Sequence, residues 1–170
     1  MEANKKPPAN PFSIAIRLLA RRPYAVAEMR RSLIKRFPDK VEVDAAVARL
    51  REAGYLDDRK FARQFASFLV RNRAFGRERV RLELKSRLVD YRFIEEAIEQ
   101  AFEETPEQTL LERALEKKLR TVRLPLTQRK FYSLAQSLMR LGFRSDAIMK
   151  AMRSRPELKP VAENIDSLDR

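Results

Sequence analysis

The chain contains no cysteine and no histidine, and these two absences exclude many of the side chains on which enzymes rely. Without cysteine there is no disulfide, no thiolate nucleophile and no cysteine-based zinc site. Without histidine the chain lacks the commonest general base and the commonest metal ligand. Only 3 glycines occur among 170 residues, of which 44% are hydrophobic and 36% are charged. This composition is typical of a helical protein and predicts an all-α fold.

Long hydrophobic runs are also missing, since no apolar stretch approaches the roughly 18 residues that a membrane span needs. The N-terminus has lysines but no apolar segment behind them, so we expect no secretory signal and a soluble, cytoplasmic protein. Positive charge is in excess, with 37 Lys and Arg against 24 Asp and Glu, a net charge of +13. This balance favours a polyanionic partner, most often nucleic acid, or an acidic protein surface.

Five apolar positions recur three times in the chain with the same internal spacing. The three copies are Met29, Leu33, Val43, Ala46 and Val47, then Val80, Leu84, Ile94, Ala97 and Ile98, then Leu134, Leu138, Ile148, Ala151 and Met152. Self-similarity at a period of tens of residues indicates a modular helical array, although a generic pair of amphipathic helices would mimic part of the pattern.

The repeat divides the chain into three three-helix modules, which we place at residues 11–57, 58–104 and 105–153 of an elongated, curved array. Apolar periodicity, prolines and glycines predict helices at 12–21, 26–37, 41 or 43 to 53, 59–73, 77–88, 91–102, 106–123, 128–141 and 145–152. Residues 1–10 and 154–170 have prolines and charges without periodicity, so we expect a disordered N-terminal tail and a flexible C-terminal tail.

Several turns of the chain carry local capping signals. Gly54 is expected in the left-handed conformation that closes a helix, and Asp57 and Asp58 are expected to cap the next helix start. The sequence Thr-Pro-Glu-Gln at 105–108 predicts a capping box at the start of the seventh helix. Thr127 is expected to cap the eighth helix.

Phe61, Phe65 and Phe68 share one face of the fourth helix, because they are spaced four and three residues apart. Aromatic rings at helical spacing are more often core than a base-stacking platform, so we expect them to be buried. Asp57 and Asp58 form an adjacent carboxylate pair, but a metal or acid–base site needs further converging acids, and Arg59 follows. We therefore expect no enzyme, no cofactor and no metal, and keep a hydrolase built on this pair only as a remote alternative.

Charge is distributed in stripes along the chain. Residues 59–92 hold eleven basic and three acidic side chains, a net charge of +8. Residues 93–116 hold one basic and eight acidic side chains (net −7), and residues 117–160 hold twelve basic and two acidic side chains (net +10). The acidic block either offers partners to neighbouring basic helices or shapes the field around an extended ligand. The residues that we predict to contact nucleic acid or another polyanionic partner are Arg71, Arg73, Arg77, Arg79, Arg81, Lys85, Arg87, Arg30, Arg31, Lys35, Arg129 and Lys130. Arginine suits bidentate contact with phosphate or carboxylate, whereas a solvated helix face is the alternative for each one.

The middle of the chain contains GYLDDRKFA at 54–62, FG at 75–76 and RVRLEL from Arg79. These segments resemble the RecX regulatory family, the modulators of the RecA recombinase. AIRLLARRPYAVAEMRRSL at 15–33 is similar to the first module of that family. The motif positions are Gly54, Tyr55, Leu56, Asp57, Asp58, Phe61, Phe75 and Gly76. The chain departs from the family after Lys85, where Ser86-Arg87-Leu88 stands in place of a common glycine, and at Ala27, where serine is frequent.

This resemblance, which covers about residues 12–152, implies three tandem three-helix modules and a regulator without catalytic residues. It implies a monomer that lies in the groove of the RecA–single-stranded DNA filament, where it blocks strand exchange and ATP hydrolysis or promotes disassembly, in DNA repair, recombination and the SOS response. Partners would be the RecA filament and single-stranded or double-stranded DNA. The alternative function is a general nucleic-acid-binding helical module without a recombinase partner.

Overall fold

The computed structural model describes residues 10–158, and the expected tails at 1–9 and 159–170 lie outside the described residues. Within the described range the chain forms nine α-helices and a closing 3₁₀ turn at Pro156–Leu158. The helices are α1 (Pro11–Leu19), α2 (Val26–Ile34), α3 (Lys40–Glu52), α4 (Asp58–Arg73), α5 (Arg77–Ser86), α6 (Tyr91–Glu104), α7 (Glu107–Leu119), α8 (Gln128–Met139) and α9 (Ser145–Arg153).

The nine helices form three consecutive triplets, which we call module 1 (α1–α3), module 2 (α4–α6) and module 3 (α7–α9). Each helix packs mainly against the other two of its own triplet. All fifteen repeat positions found in the sequence are buried, none more than 7% exposed. Periodic apolar faces therefore meet inside each module, and the predicted all-α repeat is confirmed.

Helix starts agree with the sequence-based expectation to within one residue, whereas two helix ends differ by three or four residues. Helix α2 ends at Ile34 instead of residue 37, and α7 ends at Leu119 instead of residue 123. After Leu119 the N–H groups of Thr121 and Val122 donate to carbonyls three residues earlier in place of four. The Thr121 hydroxyl also donates to the carbonyl of Lys118 at 2.8 Å. A threonine side chain that competes for backbone acceptors in this way favours the end of a helix.

The two adjacent aspartates at the start of α4 have different partners. Asp57 caps α4, because its carboxylate accepts from the N–H of Lys60 at 3.0 Å. The prediction for Asp58 is wrong, since its Oδ1 accepts from the N–H of Val26, the first residue of α2, at 2.8 Å. The N-cap of α2 is Ala25, which has no side-chain acceptor, so the carboxylate of module 2 satisfies this end of module 1.

The same relation recurs between modules 2 and 3. The capping box predicted at 105–108 is wrong, because Thr105 is extended and Pro106 is the N-cap without a side-chain hydrogen bond. Glu107 instead accepts from the N–H of Arg77, the first residue of α5, at 2.9 Å. We call Asp58 and Glu107 the inter-module caps, since each is the first helical residue of a module and serves the second helix of the module before it.

Helix α8, the second helix of module 3, is capped within its own module. The Thr127 hydroxyl accepts from the N–H of Lys130 at 3.4 Å, which confirms that predicted cap. Helix α8 is also longer at its start than α2 and α5. Its first repeat position, Leu134, lies six residues after the helix start at Gln128, whereas Met29 lies three residues after the start of α2 at Val26.

Modules 2 and 3 also meet through two glycines. The N–H of Gly76 donates to the carbonyl of Leu141 at 2.8 Å, and the N–H of Glu78 donates to that of Gly142 at 3.2 Å. A Cβ on Gly76 would lie 2.5 Å from the Gly142 carbonyl oxygen, so only glycine permits this backbone approach.

The hydrophobic interior is divided unevenly among the modules. Module 1 has its own cluster around Met29, Leu33 and Leu50, whereas modules 2 and 3 share one continuous cluster that also contains Ala25. Leu158 is fully buried in the shared cluster, so packed chain continues five residues past the predicted end of module 3. The junction of module 1 with module 2 therefore combines the buried Ala25 with the polar contacts Val26–Asp58 and Glu28–Arg87.

Candidate nucleic-acid interface

The basic residues of α4 and α5 face the acidic residues of α6. Arg59 binds Glu96 at 2.6 Å, and Arg71 forms an ion pair with Glu104. Arg81 lies between Glu95 and Glu78, with N–O distances of 2.7 Å to each. Apart from Arg81–Glu78, which lies within α5, these pairs join different helices and show the acidic block offering partners to the neighbouring basic helices.

Arg77 has two carboxylates and an aromatic ring around its guanidinium. Its guanidinium binds Glu99 at 2.5 Å and lies 3.5 Å from Glu107, and it also lies 4.9 Å from the centroid of the Phe102 ring. The hydrogen bond to Glu99 is the main cause of a raised pKa of the Arg77 guanidinium. The same bond is the main cause of a lowered pKa of Glu99, and Arg81 lowers the pKa of Glu95 likewise.

Half of the twelve predicted contact residues take part in ion pairs inside the protein. Besides Arg71, Arg77 and Arg81, these are Arg79 with Glu83 at 2.7 Å, Arg87 with Glu28 at 3.1 Å and Arg30 with Asp44 at 2.6 Å. The other six are exposed and have no ion pair within residues 10–158: Arg73, Lys85, Arg31, Lys35, Arg129 and Lys130. All twelve stay predicted contacts, but the second six have their charge fully available to an outside anion.

The outer face of α4 adds two cations that the sequence reasoning missed. Lys60 and Arg63 are exposed, have no ion pair within the described part of the chain, and line a groove of about 760 Å³. Gln64, Ser67, Phe68, Arg71 and Asn72 of α4 and Gln100 and Glu104 of α6 line the same groove. Periodic spacing in the sequence is the signal that could have identified this face, because residues 60, 63, 64, 67 and 71 lie on one side of a helix.

The three phenylalanines of α4 run from the core to the surface. Phe61 is 7% exposed, Phe65 is half-buried and Phe68 is 46% exposed. Their rings are stacked, with centroids 5.5 Å apart between Phe61 and Phe65 and 6.4 Å apart between Phe65 and Phe68. The expectation that all three are buried is therefore wrong for Phe68, because the helices of module 2 cover only one end of this face.

The family motif residues are placed at the junctions between modules. Gly54 has a φ of +73°, as expected for a residue that closes α3, Leu56 is buried, and Tyr55 is 58% exposed. Burial raises the pKa of the Asp58 carboxyl, although the bond from Val26 opposes this shift. The backbone of Gly76 bonds to Leu141 of module 3. The ring of Phe75 packs against the shared hydrophobic cluster, and the Arg79 guanidinium lies 5.4 Å from its centroid.

The described residues contain no cluster of three or more His, Cys, Asp or Glu side chains able to hold a metal ion. The carboxylates of Asp57 and Asp58 are occupied by backbone N–H groups of two different helices, so they do not converge on a common point. Among residues 10–158 no helix is long and apolar enough to cross a membrane.

Comparison with solved structures identifies the same architecture elsewhere. The crystal structure of RecX from Lactobacillus salivarius matches with a TM-score of 0.72 over 88% of this chain and 95% of that chain, at 17% identity. A second crystal structure, of a regulatory protein RecX, matches with a TM-score of 0.69 over 81% of this chain and 67% of that chain, at 19% identity. These likenesses show the fold.

Sequence comparison gives closer relatives. Residues 57–98, which span most of module 2, match the family model described as RecX, second three-helix domain. The Regulatory protein RecX of Thermus thermophilus is 40% identical over 87 residues, and the match spans 51% of this chain and 59% of the length of that relative. The Regulatory protein RecX of Chlorobaculum tepidum is 34% identical over 153 residues, which are 90% of this chain and 91% of the relative. With three repeated helical triplets, the module 2 motif and this nearly full-length similarity, the chain belongs to the RecX family of regulatory proteins.

Proposed function

We propose that the protein regulates the RecA recombinase by binding the RecA–single-stranded DNA filament and inhibiting its strand exchange and ATP hydrolysis. It acts in the cytoplasm as a monomer, in DNA repair and recombination. The observation that carries the proposal is the similarity to a Regulatory protein RecX over 90% of the chain. No chemical step is assigned to the protein, because binding alone accounts for this kind of inhibition.

The charge arrangement supports an anionic partner with repeated sites. The ion pairs between α4–α5 and α6 neutralise part of the basic block, whereas each module keeps exposed cations that have no ion pair with another described residue, as Lys35, Arg63 and Lys130 illustrate. A modular protein of this kind places similar cations at intervals, and a DNA-bound filament presents phosphates at intervals. Affinity should therefore fall as salt rises, through release of counterions.

The direct test is ATP hydrolysis by RecA on single-stranded DNA, titrated with this protein. We expect hydrolysis to fall at low molar ratios of the protein to RecA. Unchanged hydrolysis at a stoichiometric ratio and moderate salt would refute the proposal.

Charge reversal by Lys60→Glu together with Arg63→Glu should weaken the inhibition and leave thermal stability unchanged, because neither side chain forms an ion pair within residues 10–158. The matched control is Arg120→Glu. Arg120 is an exposed cation at the C-terminal end of α7, where it pairs with Glu116. If naked DNA and the RecA filament bind with equal affinity, the general nucleic-acid-binding function replaces the proposed one.

A further inference from the structure

A small, mostly apolar cavity lies at the surface between modules 1 and 2. Its volume is about 360 Å³, and it is lined by Arg22 and Pro23 before α2, by Arg87 after α5, and by Phe61, Gln64, Phe65 and Phe68 of α4. The stacked rings of α4 form one wall, and the outermost ring, that of Phe68, is 46% exposed. An aromatic ring open to water offers a face on which another flat ring can stack.

Two arginines form the rim of this cavity, and both are held by one carboxylate. Glu28, whose side chain is only 16% exposed, binds Arg22 at 3.0 Å and Arg87 at 3.1 Å. The Arg87 guanidinium also lies 5.1 Å from the centroid of the Phe65 ring. Two cations against one anion leave the rim with net positive charge, and the arginines are positioned before any ligand arrives.

The cavity continues into the cationic groove of α4. Gln64 and Phe68 line both, and the groove adds Lys60 and Arg63, which have no ion pair within the described chain. The two carboxylates of the groove are already engaged, since Asp57 accepts from the Lys60 N–H and Glu104 pairs with Arg71. Proteins bind single-stranded nucleic acid by stacking its bases on aromatic rings and pairing its phosphates with cations. The exposed ring of Phe68 beside Lys60 and Arg63 matches this pattern.

We propose that this cavity takes one unpaired base of a single-stranded nucleic acid, stacked on the ring of Phe68, while the neighbouring phosphates lie along Lys60 and Arg63. The inference deepens the proposed function, because it names the part of the protein that contacts the strand. Gln64 offers an amide donor and acceptor to the edge of the base. A base in a duplex is already stacked and paired, so the cavity selects single strands.

The test uses the absence of tryptophan from the chain, which makes a single introduced tryptophan the only indole reporter. Phe68→Trp keeps an aromatic ring in place, and we expect its fluorescence to be quenched when a deoxythymidine oligomer binds. An abasic strand of equal length and charge should quench little and bind about tenfold more weakly. Phe68→Ala should lose this preference for the oligomer with bases, and its far-UV circular dichroism should match that of the original chain.

The matched control is Met139→Trp, which places the indole at the last residue of α8, nine residues past Lys130, at a similar exposure of 49%. Its fluorescence should change little on binding, and its preference for the strand with bases should be kept. Equal affinity of the original chain for both strands, or equal quenching in the two tryptophan variants, would overturn the inference.

The outcomes also separate this inference from the proposed function. If Phe68→Ala keeps the preference for bases but no longer inhibits RecA, the cavity takes a side chain of a protein and the inference is wrong. If the base preference depends on Phe68 while the original chain leaves RecA unaffected, the cavity stands and the proposed function fails.

Discussion

Two of the three glycines of the chain separate two physical effects, so Gly76→Ala and Gly54→Ala together give a controlled test of the junction between modules 2 and 3. Gly76 has an ordinary φ of −75°, but its Cβ would lie 2.5, 2.6 and 2.8 Å from backbone atoms of Gly142 and Phe143. Gly54 is the opposite case, because φ is +73° and no atom lies within 4 Å of a Cβ. Alanine therefore introduces only a collision at Gly76 and only a strained conformation at Gly54.

The magnitudes follow from these geometries. At Gly76 the two backbones must separate by about 0.9 Å, the difference between the 2.5 Å approach and an ordinary contact of 3.4 Å. That movement stretches the two backbone hydrogen bonds of the junction, so we expect a loss of roughly 2–5 kcal/mol in the free energy of unfolding, from overpacking and weakened hydrogen bonds together. Gly54→Ala should cost about 1–2 kcal/mol, the penalty of a left-handed conformation for an L-residue.

Urea unfolding followed by circular dichroism at 222 nm measures both variants. Gly76→Ala should be the less stable of the two, and the amide of Glu78 should lose hydrogen-exchange protection only in that variant. If Gly76→Ala is as stable as the original chain, the backbones do not meet at this junction and the shared core of modules 2 and 3 is incorrect.

Four further changes test other parts of the fold. Leu84→Ala should cost about 2–5 kcal/mol by urea unfolding, because Leu84 is fully buried at a repeat position; a near-neutral result would contradict the register. Ala74→Gly should stabilise the protein by about 1 kcal/mol, which corresponds to a rise of about 2–4 °C in Tm, because Ala74 has a left-handed backbone with a φ of +51°. A lower Tm would show that the packing of the Ala74 methyl group matters more than the strain of its backbone. Asp58→Ala should cost about 1 kcal/mol through loss of the bond from Val26, whereas Asp58→Asn keeps an acceptor and should cost less; equal losses would show that charge, and not the bond, is what counts. Because the pKa of Glu99 is lowered in the folded state, its stabilisation should be present above the unfolded pKa of about 4.3 and be lost as pH falls through the lowered value, and Glu99→Gln should flatten this part of a stability-against-pH curve.

The repeated apolar positions could be predicted because burial inside a three-helix module is periodic in sequence. Any helix that packs on two neighbours must place an apolar residue every three or four positions, and this requirement leaves the same trace in all three modules. The family resemblance rested on a different signal, the residues of the module junctions around Gly54 and Gly76. Both signals are local, which is why the fold class and the helix starts were recovered.

The errors concern residues whose partners are distant in sequence. Thr105 begins a sequence typical of a capping box, but the glutamate two residues on bonds to Arg77, thirty residues earlier. Asp58 is likewise used by Val26, thirty-two residues away. Charge counting located the basic cluster without revealing that α6 neutralises much of it, and periodicity placed Phe68 on the aromatic face without revealing where the covering helices stop.

The inter-module caps give the array a direction. Each carboxylate serves the module that precedes it, so a chain shortened from the C-terminal side before Glu107 leaves the start of α5 with an unsatisfied N–H. A chain that lacks α1–α3 but keeps Asp57 loses only the group that Asp58 serves, and α4, α5, α6 and α8 keep the acceptors at their starts. Loss of module 1 therefore leaves the caps of the later helices in place, whereas loss of module 3 removes the acceptor of α5, and Thr127 caps α8 within its own module.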